Sequence, residues 1–200
     1  MGFGSGDRVV VGHWDRSPLG PFVDLMWASP DDERILFVSD ERFGSFVTAV
    51  YSFDRVEVIP GLGAAWDGRT LGVWGGGRTV ALTVGRGVPF PPRPLWVTRW
   101  LEPGLGRRLT GAVTFGTSPT GVEEWYPARR VHRILRAEAT IDGVDLGPLR
   151  PPLPEVRFGF SEPPRWPALT EVRPVLHDPS GRLDDRLARL GAERSGALGP

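Results

Sequence analysis

Apolar and polar residues alternate with period two along most of this chain, and that rhythm predicts short β-strands joined by turns. From Phe46 to Phe53 the residues Val47, Ala49, Tyr51 and Phe53 alternate with Thr48, Val50, Ser52 and Asp54. The parity slips at Asp54-Arg55, where one extra residue predicts a bulge. Trp66-Asp67-Gly68-Arg69 carries an Asp-Gly hairpin signal, because such a turn needs positive φ at both central residues. Leu71 and Val73 follow, then the turn Gly75-Gly76-Gly77, then Val80, Leu82 and Val84 against Thr79, Ala81 and Thr83. Residues 46–85 therefore read as a meander.

Upstream, Arg8–His13, Phe22–Ala28 and Arg34–Val38 read as three strands, with Ser29-Pro30-Asp31-Asp32 turning between the last two. Downstream, Gly87–Pro94 is a proline-rich connection. The stretch Leu95–Leu109 holds Trp96, Trp100 and Leu101 at helical spacing, but Pro103, Gly104 and Gly106 limit it to one or two turns. Thr110–Thr117 and Val122–Tyr126 read as strands around Ser118-Pro119-Thr120-Gly121. Pro127–Arg133 permits a short helix, since proline suits a first helical position. Leu135, Ala137, Ala139 and Ile141 alternate toward the hairpin signal Asp142-Gly143, and Val156–Phe160 and Leu169–Leu176 read as late strands. Leu183, Leu187 and Leu190 sit at i, i+4 and i+7, an amphipathic helix, and Ser195–Pro200 should fray.

Some ten short strands with few helices and no βαβ rhythm predict a mainly β fold: a single antiparallel β-barrel or strongly coiled sheet with one or two short helices. Closure would remove exposed strand edges. Residues 1–178 form the barrel domain in this reading, and 179–200 a C-terminal amphipathic helix and tail. The pattern fits a lipocalin-like barrel. The interior is a packed core or a ligand cavity, and eight tryptophans would give a cavity large apolar walls. Trp27, Tyr51, Trp74 and Trp125 are the expected ligand-binding residues.

Composition removes whole classes of chemistry. All 24 basic residues are arginine, and there is no lysine, cysteine, asparagine or glutamine. Without lysine no side-chain Schiff base forms and no P-loop amine meets a phosphate. Without cysteine there is no thiol nucleophile, disulfide or cysteine-bound metal. The bias matches a GC-rich genome, and the exclusions hold whatever its origin. Formal net charge is zero, so nothing draws the whole chain to nucleic acid or an anionic membrane, and self-association is permitted. No apolar run approaches 18 residues, and the start lacks a basic segment followed by an apolar one. A cytoplasmic protein is expected, with no membrane and no nucleic-acid partner.

The remaining chemistry is acid–base. In Glu123-Glu124-Trp125-Tyr126, period two places Glu124 and Tyr126 on one side and Glu123 and Trp125 on the other. If the first side is interior, Glu124 serves as base and Tyr126 as hydrogen-bond donor to a carbonyl; otherwise Glu124 pairs with an arginine. Asp24 shares a side with Phe22 and Met26, where a charge needs a partner, and arginine is the only strong cation here. His13-Trp14-Asp15 puts His13 and Asp15 on one face. The three histidines have no metal-ligand spacing, so no metal is expected. Arg129, Arg130, Arg133 and Arg136 form the basic cluster, flanked by Glu123, Glu124 and Glu138, and read as a solvated or ion-paired face.

Ser17-Pro18-Leu19-Gly20-Pro21-Phe22-Val23-Asp24-Leu25 resembles the Ser-Pro-(Val/Leu)-Gly-Pro-Tyr-x-Glu-Leu segment of the acetoacetate decarboxylase-like superfamily. The match covers nine residues of 200. The resemblance implies a cone-shaped β-barrel in which Asp24 stands at an acidic position facing the cavity. Decarboxylases of that superfamily use a lysine Schiff base, which this chain cannot form. Three functions follow as expectations. The first is a barrel that binds a hydrophobic or aromatic small molecule without covalent catalysis or cofactor. The second is a cofactor-free lyase, isomerase or cyclase using Glu124, Tyr126, Asp24 or His13. The third is a protein-interaction module built on the proline-rich connections and the Trp96–Trp100 segment.

Overall fold

The structure, a computed structural model, describes residues 1–91 and 114–191. In chain order the elements are β1 (Gly2–Phe3), β2 (Arg8–Trp14), β3 (Phe22–Ala28), β4 (Arg34–Val38), α1 (Glu41–Val47), β5 (Arg55–Val58), β6 (Gly63–Asp67), β7 (Thr70–Gly75) and β8 (Arg78–Pro89). After the undescribed segment come β9 (Phe115–Thr117), β10 (Glu123–Trp125), β11 (Ala128–Ile141), β12 (Val144–Asp145), β13 (Leu149–Arg150), β14 (Ala168–Val172), β15 (Val175–His177) and α2 (Arg182–Arg189). The chain is mainly β, as expected. Its strands, however, form three sheets, ordered β13-β1-β2-β3-β4-β5, β12-β11-β8-β7-β6 with β14 beside β11, and β15-β10-β9. None closes into a barrel among the described residues.

The reason lies in β3 and β4, which are apolar on both faces. Val23, Leu25, Ile35 and Phe37 join Val9 on one face and meet Leu71, Val73, Val80, Leu82 and Val84 of the second sheet. Phe22, Met26, Ala28, Leu36 and Val38 point the other way, into a second core with Phe46, Val47, Val156 and Phe158. The first sheet is thus a middle layer that must be covered twice. The second sheet covers one side as a sandwich. Helix α1, the third sheet and α2 cover the other, with Leu183 buried beside Ala49, Val50 and Val122.

The strand expected at 46–53 is instead the end of α1 and a loop, and β5 then runs parallel to β4 rather than continuing a bulged strand. Phe43, Phe46, Val47 and Val50 follow helical spacing, and the Asp40 side chain caps the helix by accepting from the Arg42 N–H at 2.8 Å. The period-two pattern competed with this period and lost to burial on the middle sheet. The other hairpins follow expectation with one shift. Asp67 pairs with Thr70, so the first turn is Gly68-Arg69, with positive φ at Gly68 alone. Gly76-Gly77 and Asp142-Gly143 have positive φ at both positions. The helix permitted at 127–133 is strand, and irregular register around Ile134 turns that side chain inward and Leu135 out. Val156–Phe160 is a loop, not a strand. Of the connection expected at Gly87–Pro94, the first three residues continue β8. Residues 92–94, the Leu95–Leu109 segment, residues 110–113 and the 192–200 tail lie outside the described residues.

Helical packing of α1 makes a direct prediction. Phe46→Ala should cost about 3–5 kcal/mol by denaturant titration. Ser45→Ala, one residue away, should stay within about 0.5 kcal/mol.

Candidate functional site

Strand alternation in β3 delivers Asp24 into the second core between Phe22 and Met26, as the sequence implied, with 0% of its surface exposed. Among the described residues no arginine meets it. Its partner is Trp14, whose indole N–H donates to Oδ1 at 2.8 Å. Register makes this contact: Gly12 of β2 stands opposite Asp24, so Trp14, two residues on, shares its face. A side chain at 12 would collide with the carboxyl, since a Cβ there would lie 2.3 Å from Oδ1. Burial pushes the Asp24 pKa from the ordinary 3.8 to about 7, against the indole bond, which favours the charged form.

The third sheet brings a second carboxyl to the same core. Glu124 is also 0% exposed, whereas Glu123, on the opposite side of β10, is half-buried. The Tyr126 hydroxyl donates to Glu124 Oε2 at 2.8 Å and lies 2.6 Å from the Tyr51 hydroxyl. With the Tyr126 proton committed to Glu124, Tyr51 donates to Tyr126. When Glu124 itself carries a proton on Oε2, the chain can run the other way, so a proton can pass along three oxygens. Burial pushes Glu124 from 4.5 to about 8, opposed by the Tyr126 bond. Both phenols are raised by burial first; Tyr51 is raised further by the charge of Glu124 and, to a smaller degree, of Asp24. Tyr51 therefore senses both acids. Asp24 Oδ2 and Glu124 Oε1 have no hydrogen-bond partner among the described residues.

The loop after β13 closes over this cluster. Phe160 stacks on Tyr126 with ring centres 5.9 Å apart, and Gly159 lets the Tyr51 ring pass where a Cβ would sit 2.7 Å from it. Thr120 ties the turn before β10 to the end of the α1 loop by donating to the Ala49 carbonyl at 2.5 Å.

Asp24, Glu124, Tyr126 and Tyr51 are thus gathered in one core. The fourth acid–base candidate, His13, is not. It points to the other side of β2, with Nδ1 3.4 Å from Asp15 Oδ1. Nor do the tryptophans line a common cavity. Trp27 faces the first core and donates to Asp7 Oδ1 at 2.7 Å. Trp125 packs on Phe115 with ring centres 4.9 Å apart, and Trp74 lies on the outer surface, 48% exposed. Trp14, absent from the expected set, is the aromatic that matters. Among the described residues no three His, Asp or Glu side chains gather as metal ligands, and no described helix is long and apolar enough to cross a membrane.

An open cleft of about 310 Å³ lies where β2 ends and β3 begins, bordered by His13, Trp14, Asp15, Phe22, Val23, Ser39, Leu62 and Ala64. Trp14 and Phe22 stack on each other 5.4 Å apart and 10° from parallel on the second-core face. Leu62 and Ala64 belong to the first-core face, and His13, Asp15 and Ser39 supply polar groups. A larger hollow of about 440 Å³, by Leu135, Arg136, Glu138 and Leu149, holds none of these acid–base groups. No protein-family model, curated protein or solved structure matches this chain.

The two raised acids set a pH dependence. Each holds its proton more tightly folded than unfolded, so its contribution to stability is complete below pH about 4. It is lost as pH rises, through about 7 for Asp24 and about 8 for Glu124. Asp24→Asn and Glu124→Gln should therefore flatten the fall in melting temperature over that interval, each gaining on wild type up to its own pKa. Tyr126→Phe should cost about 1–3 kcal/mol, because it leaves Glu124 Oε2 and the Tyr51 hydroxyl without partners.

Proposed function

We propose that this chain binds a small hydrophobic or aromatic molecule without covalent catalysis, in the cleft beside Trp14. The observation that carries this reading is the double position of Trp14: the residue borders the cleft while its N–H holds a buried carboxyl. The volume lies at the lower end of the roughly 300–1,000 Å³ usual for small-molecule sites. Aromatic residues at its border suit a flat ligand, and His13, Asp15 and Ser39 would orient it. The resemblance of Ser17–Leu25 to the acetoacetate decarboxylase-like superfamily is in keeping with this, since it implies an acidic residue at 24 on the ligand side. Absence of lysine and cysteine argues against a covalent adduct.

A second reading, a cofactor-free lyase, isomerase or cyclase, is favoured by the Tyr126–Glu124 hydrogen bond. A carboxyl with a pKa of about 8 beside a phenol donor is suited to moving a proton near neutrality. In that reading Glu124 exchanges the proton, Tyr126 supports the developing charge and Asp24 is the second acid.

Titration of the labelled protein with indole, benzaldehyde and 2-naphthol separates these possibilities. Binding should shift the Trp14 indole and Ala64 resonances at millimolar ligand, and Trp14→Ala should weaken it about tenfold or more, a loss of about 1.4 kcal/mol. Unmoved cleft resonances with all three compounds would remove the binding reading.

A further inference from the structure

We propose that the outer face of the second sheet is a binding surface for an uncharged polysaccharide, with Trp74 as its stacking platform. The register of four strands builds this surface. Residues that alternate with the buried Leu71, Val73, Val80, Leu82, Ala137 and Ala139 point outward and fall into cross-strand rows. Ala65, Gly72 and Ala81 form the middle row, a floor of methyls and bare backbone that ends at Glu138. On one side stand Thr70 and Thr83, their hydroxyls 2.9 Å apart. On the other stand Trp74, Thr79 and Thr140, the two threonine hydroxyls 2.8 Å apart.

The indole of Trp74 lies down on this sheet. A Cβ built on Gly63 would meet the ring at 3.4 Å, and one on Gly72 at 3.9 Å, so both glycines make room for it. Its outer face is left to solvent, and its N–H has no partner among the described residues. The result is a shallow trough with an aromatic plane on one flank and hydroxyls on both. Across three strand spacings it runs about 14 Å, roughly two or three linked sugar rings. At its β11 end it reaches the 440 Å³ hollow, whose wall includes the Arg136–Glu138 pair.

The chemistry selects the occupant. One face of a pyranose is a set of C–H bonds, apolar and slightly positive, which suits the negative face of an indole. Its hydroxyls need both donors and acceptors, and threonine supplies both. The trough's β7 and β8 stretch contains no charged side chain; Asp67 stands at the β6 end, and Arg136 and Glu138, paired with each other, at the β11 end. A polyanion would find only Arg136, already paired with Glu138, and a purely apolar ligand would leave the remaining capacity of the paired threonine hydroxyls unmet.

Native electrophoresis at alkaline pH through gels containing mixed-linkage β-glucan, hydroxyethylcellulose or galactomannan tests this. The full chain should be retarded by at least one of these, and Trp74→Ala should run as in a polymer-free gel. Trp66→Ala, an exposed tryptophan on the inner side of the same hairpin, should keep the retardation. Sizing chromatography should give the same oligomeric state for wild type and Trp74→Ala. Unaltered mobility in all three polymers, equal retardation of Trp74→Ala, stronger retardation by heparin, or a Trp74→Ala chain that changes oligomeric state would each overturn the proposal. Both variants alter surface residues, and none of these outcomes depends on the Trp14 cleft.

Discussion

A sheet that is apolar on both faces governs this structure. Burying β3 and β4 from one side alone would leave Phe22, Met26, Leu36 and Val38 in water, at a cost of about 1.5–3 kcal/mol for each large side chain. The second sheet, α1, the third sheet and the loop after β13 are arranged to prevent that. The two coverings differ in kind. The sandwich side is a packing of mostly aliphatic residues with Phe3, Phe37 and Trp27, and the other side admits two carboxyls and two phenols.

Placing acids in the second core has a defined energetic character. Charging either one without a nearby cation is unfavourable, so the fold keeps them protonated over a wide range and surrounds them with weak donors. Trp14 and Tyr126 stabilise by single hydrogen bonds and leave one oxygen of each acid without a partner among the described residues. Such an arrangement is poor as structural glue, because an arginine partner would satisfy both oxygens. It is better suited to a group that must gain and lose a proton.

Much of the architecture was legible wherever one period acted alone. β7, β8 and the last part of β11 alternate cleanly because the second sheet has one wet face, and their glycine turns fix the register. β3 and β4 read as strands, but β4's apolar run and β3's, interrupted only by Asp24, also signal burial on two faces, which disfavours a barrel. α1 was misread because Val47, Ala49, Tyr51 and Phe53 mimic a strand; the competing signal was Asp40 followed by Phe43, Phe46, Val47 and Val50. Within the site, the shared side of Glu124 and Tyr126 follows from two adjacent positions, so sequence sufficed. The Trp14–Asp24 contact needs the pairing of two strands across ten positions, and the Tyr51–Tyr126 contact joins layers 75 positions apart. Neither distance is encoded by local pattern.

Gly12 links these themes over evolutionary time. Its bare α-carbon is the space into which the Asp24 carboxyl fits, so position 12 cannot drift while the acid remains. Homologues that keep the acid are bound to keep the glycine, and those that lose the acid release position 12 to any small strand-forming residue. A joint change at the two sites would therefore mark lineages in which the buried acid has been abandoned.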